Sequence, residues 1–220
     1  TFIEPGVSEL TQDLSRNDHL FEIGEIDGSV SPRIEKVAQV LNYMGPTLIS
    51  SHLMASRWGK LINNACMSGM SAACGATFGE VLDNDTARAC LSYLGREVKQ
   101  CCEAAGYKLP ILLHEQSPVT LDIKDQEMFN ANQEMFLTMY SDMRTAKASM
   151  LQDLEKGRVT EVGMINGYVC QTGDQYGIDT PYNDKVVEIV SKIEQGKLPL
   201  SMENITLFDQ LDREYELYHI

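Results

Sequence analysis

Trp58-Gly-Lys60-Leu-Ile-Asn-Asn64-Ala-Cys66-Met-Ser68-Gly-Met-Ser-Ala-Ala-Cys74-Gly-Ala-Thr-Phe78-Gly-Glu80 decides the reading of this chain. Apolar and small residues recur at helical spacing, yet Lys60 and Asn64 stand four residues apart, so a helix sets both on one face. An ammonium beside a carboxamide on a small, apolar helix needs partners, and a ligand would supply them. The plainer alternative is that Lys60 snorkels to solvent while Asn64 bonds a neighbouring backbone group.

The whole sequence bounds what such a site can serve. A chain of 220 residues holds one domain with a sizeable core, or one domain and part of another. Its 43% hydrophobic and 23% charged residues are those of a globular protein. The net charge of -14 is spread along the chain, which disfavours nucleic acid or an anionic membrane as partner. No apolar run approaches the roughly 20 residues of a membrane span, and the first residues lack signal-peptide character, so a soluble protein is expected. Six cysteines without a CxxC pair, most of them among apolar neighbours, point to a reduced cytoplasmic setting. The four histidines lack metal-ligand spacing, and no metal is expected.

Upstream of the central stretch, short apolar runs at 1–12 and 19–26 are broken by Pro5-Gly6 and Asp27-Gly28 and read as two strands. Ser31-Pro32 opens a helix whose apolar face is Ile34, Val37, Val40 and Leu41, and Leu48 to Ser50 reads as a further strand. These first 50 residues are too few to cover both faces of a sheet and resemble the edge of a larger α/β unit.

Downstream, the pattern is helical. One helix runs from His52 to about Cys74, residues 75–85 connect, and Asn84 or Asp85 caps a second helix over 86–105 that Gly106 ends. A methionine-rich third helix spans roughly 125–144, its stripe suiting a core or a helix interface. Thr160 reads as an N-cap with Glu161 in the first turn, Thr180-Pro181 caps and opens the next helix, and Gly196 stops it. Ser201 and Asn204 begin a last acidic, aromatic segment that either pads the domain or meets a partner.

In this order, Trp58-x-Lys60-Leu61-x-x-Asn64, Phe78-Gly79-Glu80, Glu97, Gly106, Ser149-Met150-x-x-Asp153, Gly157-Arg158-x-Thr160-Glu161, Ile165-Asn166-Gly167 and Gly177-x-x-Thr180-Pro181-x-Asn183 resemble the helical C-terminal domain of ketopantoate reductases. Ile23-Gly24-Glu25, Asp27-Gly28 and Arg33 resemble the strand and helix before it. The resemblance implies a mainly α fold of the 6-phosphogluconate dehydrogenase C-terminal-like type, preceded by a small β/α remnant of a truncated Rossmann domain. Residues 1–50 would be the end of an otherwise absent NADP-binding domain, 51–200 the substrate-binding domain, and 201–220 a tail. The chain has no G-x-G-x-x-G, so NADP would be bound mainly by the missing part, and the fragment alone would be inactive.

The resemblance also implies roles. Lys60 matches the proton donor in the NADPH-dependent reduction of 2-dehydropantoate to pantoate, in pantothenate and coenzyme A biosynthesis. Asn64 matches a substrate-contacting asparagine, Ser149 a serine that bonds the substrate carboxylate, and Glu161 a glutamate that contacts the cofactor. Ser149 as a helix cap and Glu161 as a favourable charge at a helix start are the structural alternatives.

Three departures bear on the substrate. Ser68 occupies a position where many members place a second substrate-binding asparagine, Phe78 one where some place another, and Ala146 replaces a further polar residue. Sites that hydrogen-bond a group discriminate strongly on it, so reduction of a different 2-keto acid is one alternative. A helical association module without catalysis is the other. The partner expected is a small 2-keto acid, with a homodimer as the association state.

Overall fold

The computed structural model describes residues 2–4, 7–8, 19–109 and 121–211. The chain divides into two compact units, residues 1–56 and 57–220.

In the first unit, β1 (Phe2–Glu4) and β2 (Val7–Ser8) pair antiparallel; the Pro5-Gly6 turn read between them lies outside the described residues. β3 (Phe21–Ile23), α1 (Pro32–Leu41) and β4 (Thr47–Ile49) form a β-α-β crossover whose strands pair in parallel, Glu22 opposite Leu48. Ser31 caps α1 by accepting from Ile34 N at 3.2 Å, and Pro32 at the first helical position needs no donor there. Gly28 turns the chain at φ +77°, where a Cβ would meet Ser51 O at 2.6 Å. The apolar face read on α1 is only half covered. Ile34 and Ala38 are buried, whereas Val37 and Val40 are 42% and 61% exposed.

The second unit is helical. α2 (Leu53–Asn63) runs without a break into a π-helical turn, Asn64–Ser68, and then α3 (Gly69–Cys74). What reads as one helix therefore carries a change of pitch. The expected connection at 75–85 contains α4 (Phe78–Asp83), which a capping box builds: Glu80 N donates to Thr77 Oγ1 while Thr77 N donates to Glu80 Oε2 at 2.8 Å. Asn84 caps α5 (Asp85–Ala104), accepting from Ala87 N at 2.9 Å. Eleven of the 20 residues of α5 are buried, which makes it the central helix, packed on the π turn, α4, α6 (Gln126–Met139), α8 (Asn166–Tyr176) and α9 (Pro181–Glu194). α6 is shorter than its sequence suggests, because the backbone tightens into a 3-10 turn at Ser141–Met143. Its methionine stripe goes to the core, with Met135 buried, Met128 and Met139 half-buried, and only Met143 exposed.

α7 (Ser149–Glu155) packs on α3 and on the π turn. Residues 201–211 complete the core rather than hanging free. Asn204 Nδ2 donates to Ala73 O and to Pro199 O, both at 3.0 Å, and Phe208 stacks on Tyr182, which in turn meets Tyr93. Among the described residues, no helix is long and apolar enough to cross a membrane.

Candidate active site

α2 and the π turn carry Lys60, Asn64 and Ser68. In an α-helix a four-residue step overshoots a full turn by about 40°, so three residues at this spacing drift around the axis. A π turn closes a longer ring, with Gly69 N–H reaching the carbonyl of Asn64 five residues back. A four-residue step inside it falls short of a full turn. The two deviations have opposite sign, so Lys60, Asn64 and Ser68 keep one line along the run. Lys60 is exposed, and Asn64 and Ser68 are half-buried. Lys60 therefore takes the solvent-reaching geometry that its spacing alone allowed.

Ser149 opens α7, but the cap position falls on Ala148 and no side chain caps this helix, so the Ser149 hydroxyl is not spent on capping. Because α7 lies against the π turn, Ser149 belongs to an element packed beside Asn64 and Ser68. Glu161 does not begin an α-helix. Residues 162–164 form a 3-10 turn, Ile165 (φ -104°, ψ -86°) breaks the helical path, and α8 starts only at Asn166. Thr160 nevertheless fixes the turn. Its N–H and hydroxyl both donate to Glu194 Oε1 at 2.7 Å, and its Oγ1 accepts from Val162 N at 3.2 Å. Glu161 is thus carried on a pinned backbone with its carboxylate exposed. Among the described residues, none of the side chains of Lys60, Asn64, Ser68, Ser149 and Glu161 takes part in a hydrogen bond or ion pair with another side chain or with backbone.

Two of the three departures are joined. Phe78 N donates to Ala146 O at 3.0 Å, and the Phe78 ring is buried edge-on against Tyr140, centroids 5.3 Å apart. Tyr140 OH donates to Asn63 Oδ1 at 3.3 Å, tying α6 to the end of α2.

Sequence reasoning quoted Glu97, Asn166 and Asn183 without a role, and the structure supplies one. Glu97 on α5 is buried and accepts from Tyr182 N and Asn183 N at 2.9 Å, and from Asn183 Nδ2 at 2.7 Å. It caps α9 from another helix, where Thr180 makes no capping bond and gives its hydroxyl to Asp184 instead. Burial pushes the Glu97 carboxyl above the ordinary carboxylate range, while the three donated hydrogen bonds pull the other way. Asn166 Nδ2 donates to Asn183 Oδ1 and to Ala65 O, both at 2.9 Å, so the chain of bonds ends on the π turn. Midway along α2, Trp58 meets Tyr168 of α8, ring centroids 5.7 Å apart. Among the described residues, no cluster of side chains is arranged to hold a metal ion, and the thiols of Cys66, Cys74, Cys101 and Cys102 are pushed up by burial.

Residues 52–194 match the family described as "Ketopantoate reductase PanE/ApbA C terminal". A 2-dehydropantoate 2-reductase of Archaeoglobus fulgidus is 30% identical over 175 residues, 79% of this chain and 52% of that protein. A PanE/ApbA family ketopantoate reductase from Ralstonia eutropha JMP134 superposes with a TM-score of 0.62 at 21% identity, over 80% of this chain and 51% of that one. D-mandelate dehydrogenase in complex with NADH superposes with a TM-score of 0.64 at 21% identity, over 80% of this chain and 55% of that one. At these identities the two structures speak to the fold alone. The chain spans about half the length of the curated relatives it matches. With the family match covering most of its helical unit, the chain belongs to the ketopantoate reductase family.

Proposed function

We propose that this chain provides the substrate-binding and catalytic half of an NADPH-dependent 2-dehydropantoate 2-reductase. The observation that carries the reading is the succession of Lys60, Asn64 and Ser68 along α2 and the π turn, each side chain without a hydrogen-bond partner among the described residues. NADPH supplies the hydride when bound. The chain's own part is to bind the 2-keto acid and to manage the charge that hydride arrival places on the ketone oxygen.

Hydride addition at the keto carbon develops an alkoxide. The Lys60 ammonium stabilises that charge and delivers the proton from Nζ to oxygen, which gives the 2-hydroxy acid and leaves a neutral amine to be reprotonated from water. Asn64 both donates and accepts, and the Ser68 and Ser149 hydroxyls do the same, a set suited to a carboxylate and a hydroxyl on one small acid. Glu161 approaches the cofactor, and NADP is held mainly by a dinucleotide-binding domain of which residues 1–50 are the final part.

One observation favours a second reading, a reductase of another 2-keto acid. Phe78 turns its ring into the core beside Ala146, so neither position offers a polar contact to substrate. Turnover by the complete gene product distinguishes the readings. Ketopantoate and a panel of other 2-keto acids are each supplied with NADPH and with NADH. Fast oxidation of NADPH with ketopantoate supports the first. Activity confined to another 2-keto acid moves the substrate, and silence across the panel refutes both.

A further inference from the structure

The hydrogen bonds around Glu97 have a direction. All three of its partners are donors, and two of them are the second and third amides of α9, so the arrangement is that of a carboxylate at the positive end of a helix. Because Asn183 turns its amide group toward Glu97, its oxygen faces Asn166. Asn166 must then present its amide group to Asn183, and the same nitrogen reaches Ala65 O. The orientation of each carboxamide is set by the one before it, beginning at Glu97. Asn166 is fully buried, and its Oδ1 has no partner among the described residues, which is the cost of aiming both amide hydrogens at acceptors. The receiving carbonyl lies in the π turn, the irregular part of the helix whose geometry keeps Asn64 and Ser68 in line with Lys60.

We infer that Glu97, Asn183 and Asn166 form a positioning relay, in which a buried carboxylate orients two carboxamides and the last of them holds the π turn that carries the substrate-contacting side chains. The inference rests on the proposed function for the roles of Lys60, Asn64 and Ser68, and on the structure alone for the relay. None of the three relay residues touches substrate. They act by fixing the backbone of residues 64–68, and a displacement of about 1 Å in such a backbone is enough to cost a reaction one to two orders of magnitude.

Glu97→Gln keeps the shape of the side chain but has one oxygen for donors on two sides, so its amide group must face the backbone N–H of Tyr182 or that of Asn183. Facing Asn183, the amide group takes away the acceptor that orients the Asn183 carboxamide; facing Tyr182, it strains the start of α9 on which Asn183 sits; either way the hold on Asn166 is loosened. Asn166→Ala removes the last link directly. Both variants are compared with Ile189→Val, a core change on α9 whose side chain makes no hydrogen bond and which lowers stability by lost packing. Two readouts are taken below the unfolding range: amide hydrogen exchange at residues 65–70, and kcat/KM of the complete gene product for ketopantoate with NADPH. The relay predicts exchange at least about tenfold faster in both relay variants than in the control, with kcat/KM lower by a similar factor or more. Exchange equal to that of Ile189→Val refutes the relay. Faster exchange with unchanged kcat/KM refutes its positioning role. A wild-type protein that does not reduce ketopantoate refutes the proposed function instead, and exchange then decides the relay without it.

Discussion

A methyl group at residue 69 enters a crowded point of the second unit. The Cβ of Gly69→Ala would lie 2.9 Å from Asn166 Oδ1, 3.0 Å from Asn166 Nδ2 and 3.2 Å from Val186 Cγ1. Alanine at a helical position ordinarily gains up to about 1 kcal/mol over glycine. Here the amide that must give way is held by two hydrogen bonds from its Nδ2, and moving it loosens the contact with Ala65 O. Overpacking of a tight core costs about 1–3 kcal/mol, and a buried hydrogen bond lost adds about 1 kcal/mol, so the clash exceeds the helical gain. A net destabilisation of about 1–3 kcal/mol follows. Gly167→Ala is the matched control, because its Cβ would meet only Val162 O, at an ordinary 3.6 Å. It should be neutral or slightly stabilising. Urea unfolding followed by Trp58, the single tryptophan, 2% exposed and packed on Tyr168, measures both. A Gly69→Ala protein as stable as wild type would show that the Asn166 amide is not fixed.

Other perturbations test other contacts. Thr77→Ala breaks the capping box of α4 and should cost about 1 kcal/mol. The same change should raise the Glu80 carboxyl, which the Thr77 backbone and hydroxyl hydrogen bonds now hold below its ordinary value; the capping stability is therefore present above the unfolded carboxylate range and lost as pH falls through the lowered value. An NMR titration of Glu80 that does not move in Thr77→Ala would contradict this. Phe208→Ala removes a buried ring stacked on Tyr182 and should cost about 3–5 kcal/mol, whereas a loss under about 1 kcal/mol would mean that residues 201–211 do not complete the core. Cys66, Cys74, Cys101 and Cys102 are buried thiols held in the protonated form, so they should react with a thiol reagent only after unfolding; rapid labelling of the native chain would contradict their placement.

Periodicity and caps made much of the helical architecture legible. Asn84, Asp125 and Ser31 each stand where a side chain accepts from the third helical amide, and that local chemistry needs no knowledge of distant residues. The π turn was not legible. Its residues, Asn64 to Ser68, have the composition of the α-helix around them, and the pitch is tied to a contact from Asn166, 101 residues away from Ala65. For the same reason Thr180 misleads as a cap. The amides of α9 are taken by Glu97, a residue from another helix that sequence spacing cannot bring near. Glu161 was singled out by its motif, but its 3-10 turn depends on Thr160 meeting Glu194 at the far end of α9. The tail shows the same limit, since Asn204 is tied to Ala73 across 131 residues.

The account turns on Lys60 as proton donor, and its most direct test compares the complete gene products carrying Lys60 and Lys60→Ala. NADPH oxidation is followed with the best 2-keto acid of the panel, and Trp58 emission reports whether the fold is kept. Loss of a positioned general acid predicts kcat lower by about 10²–10⁴-fold with the emission unchanged. A Lys60→Ala enzyme that turns over within a few-fold of wild type would contradict the proposed chemistry.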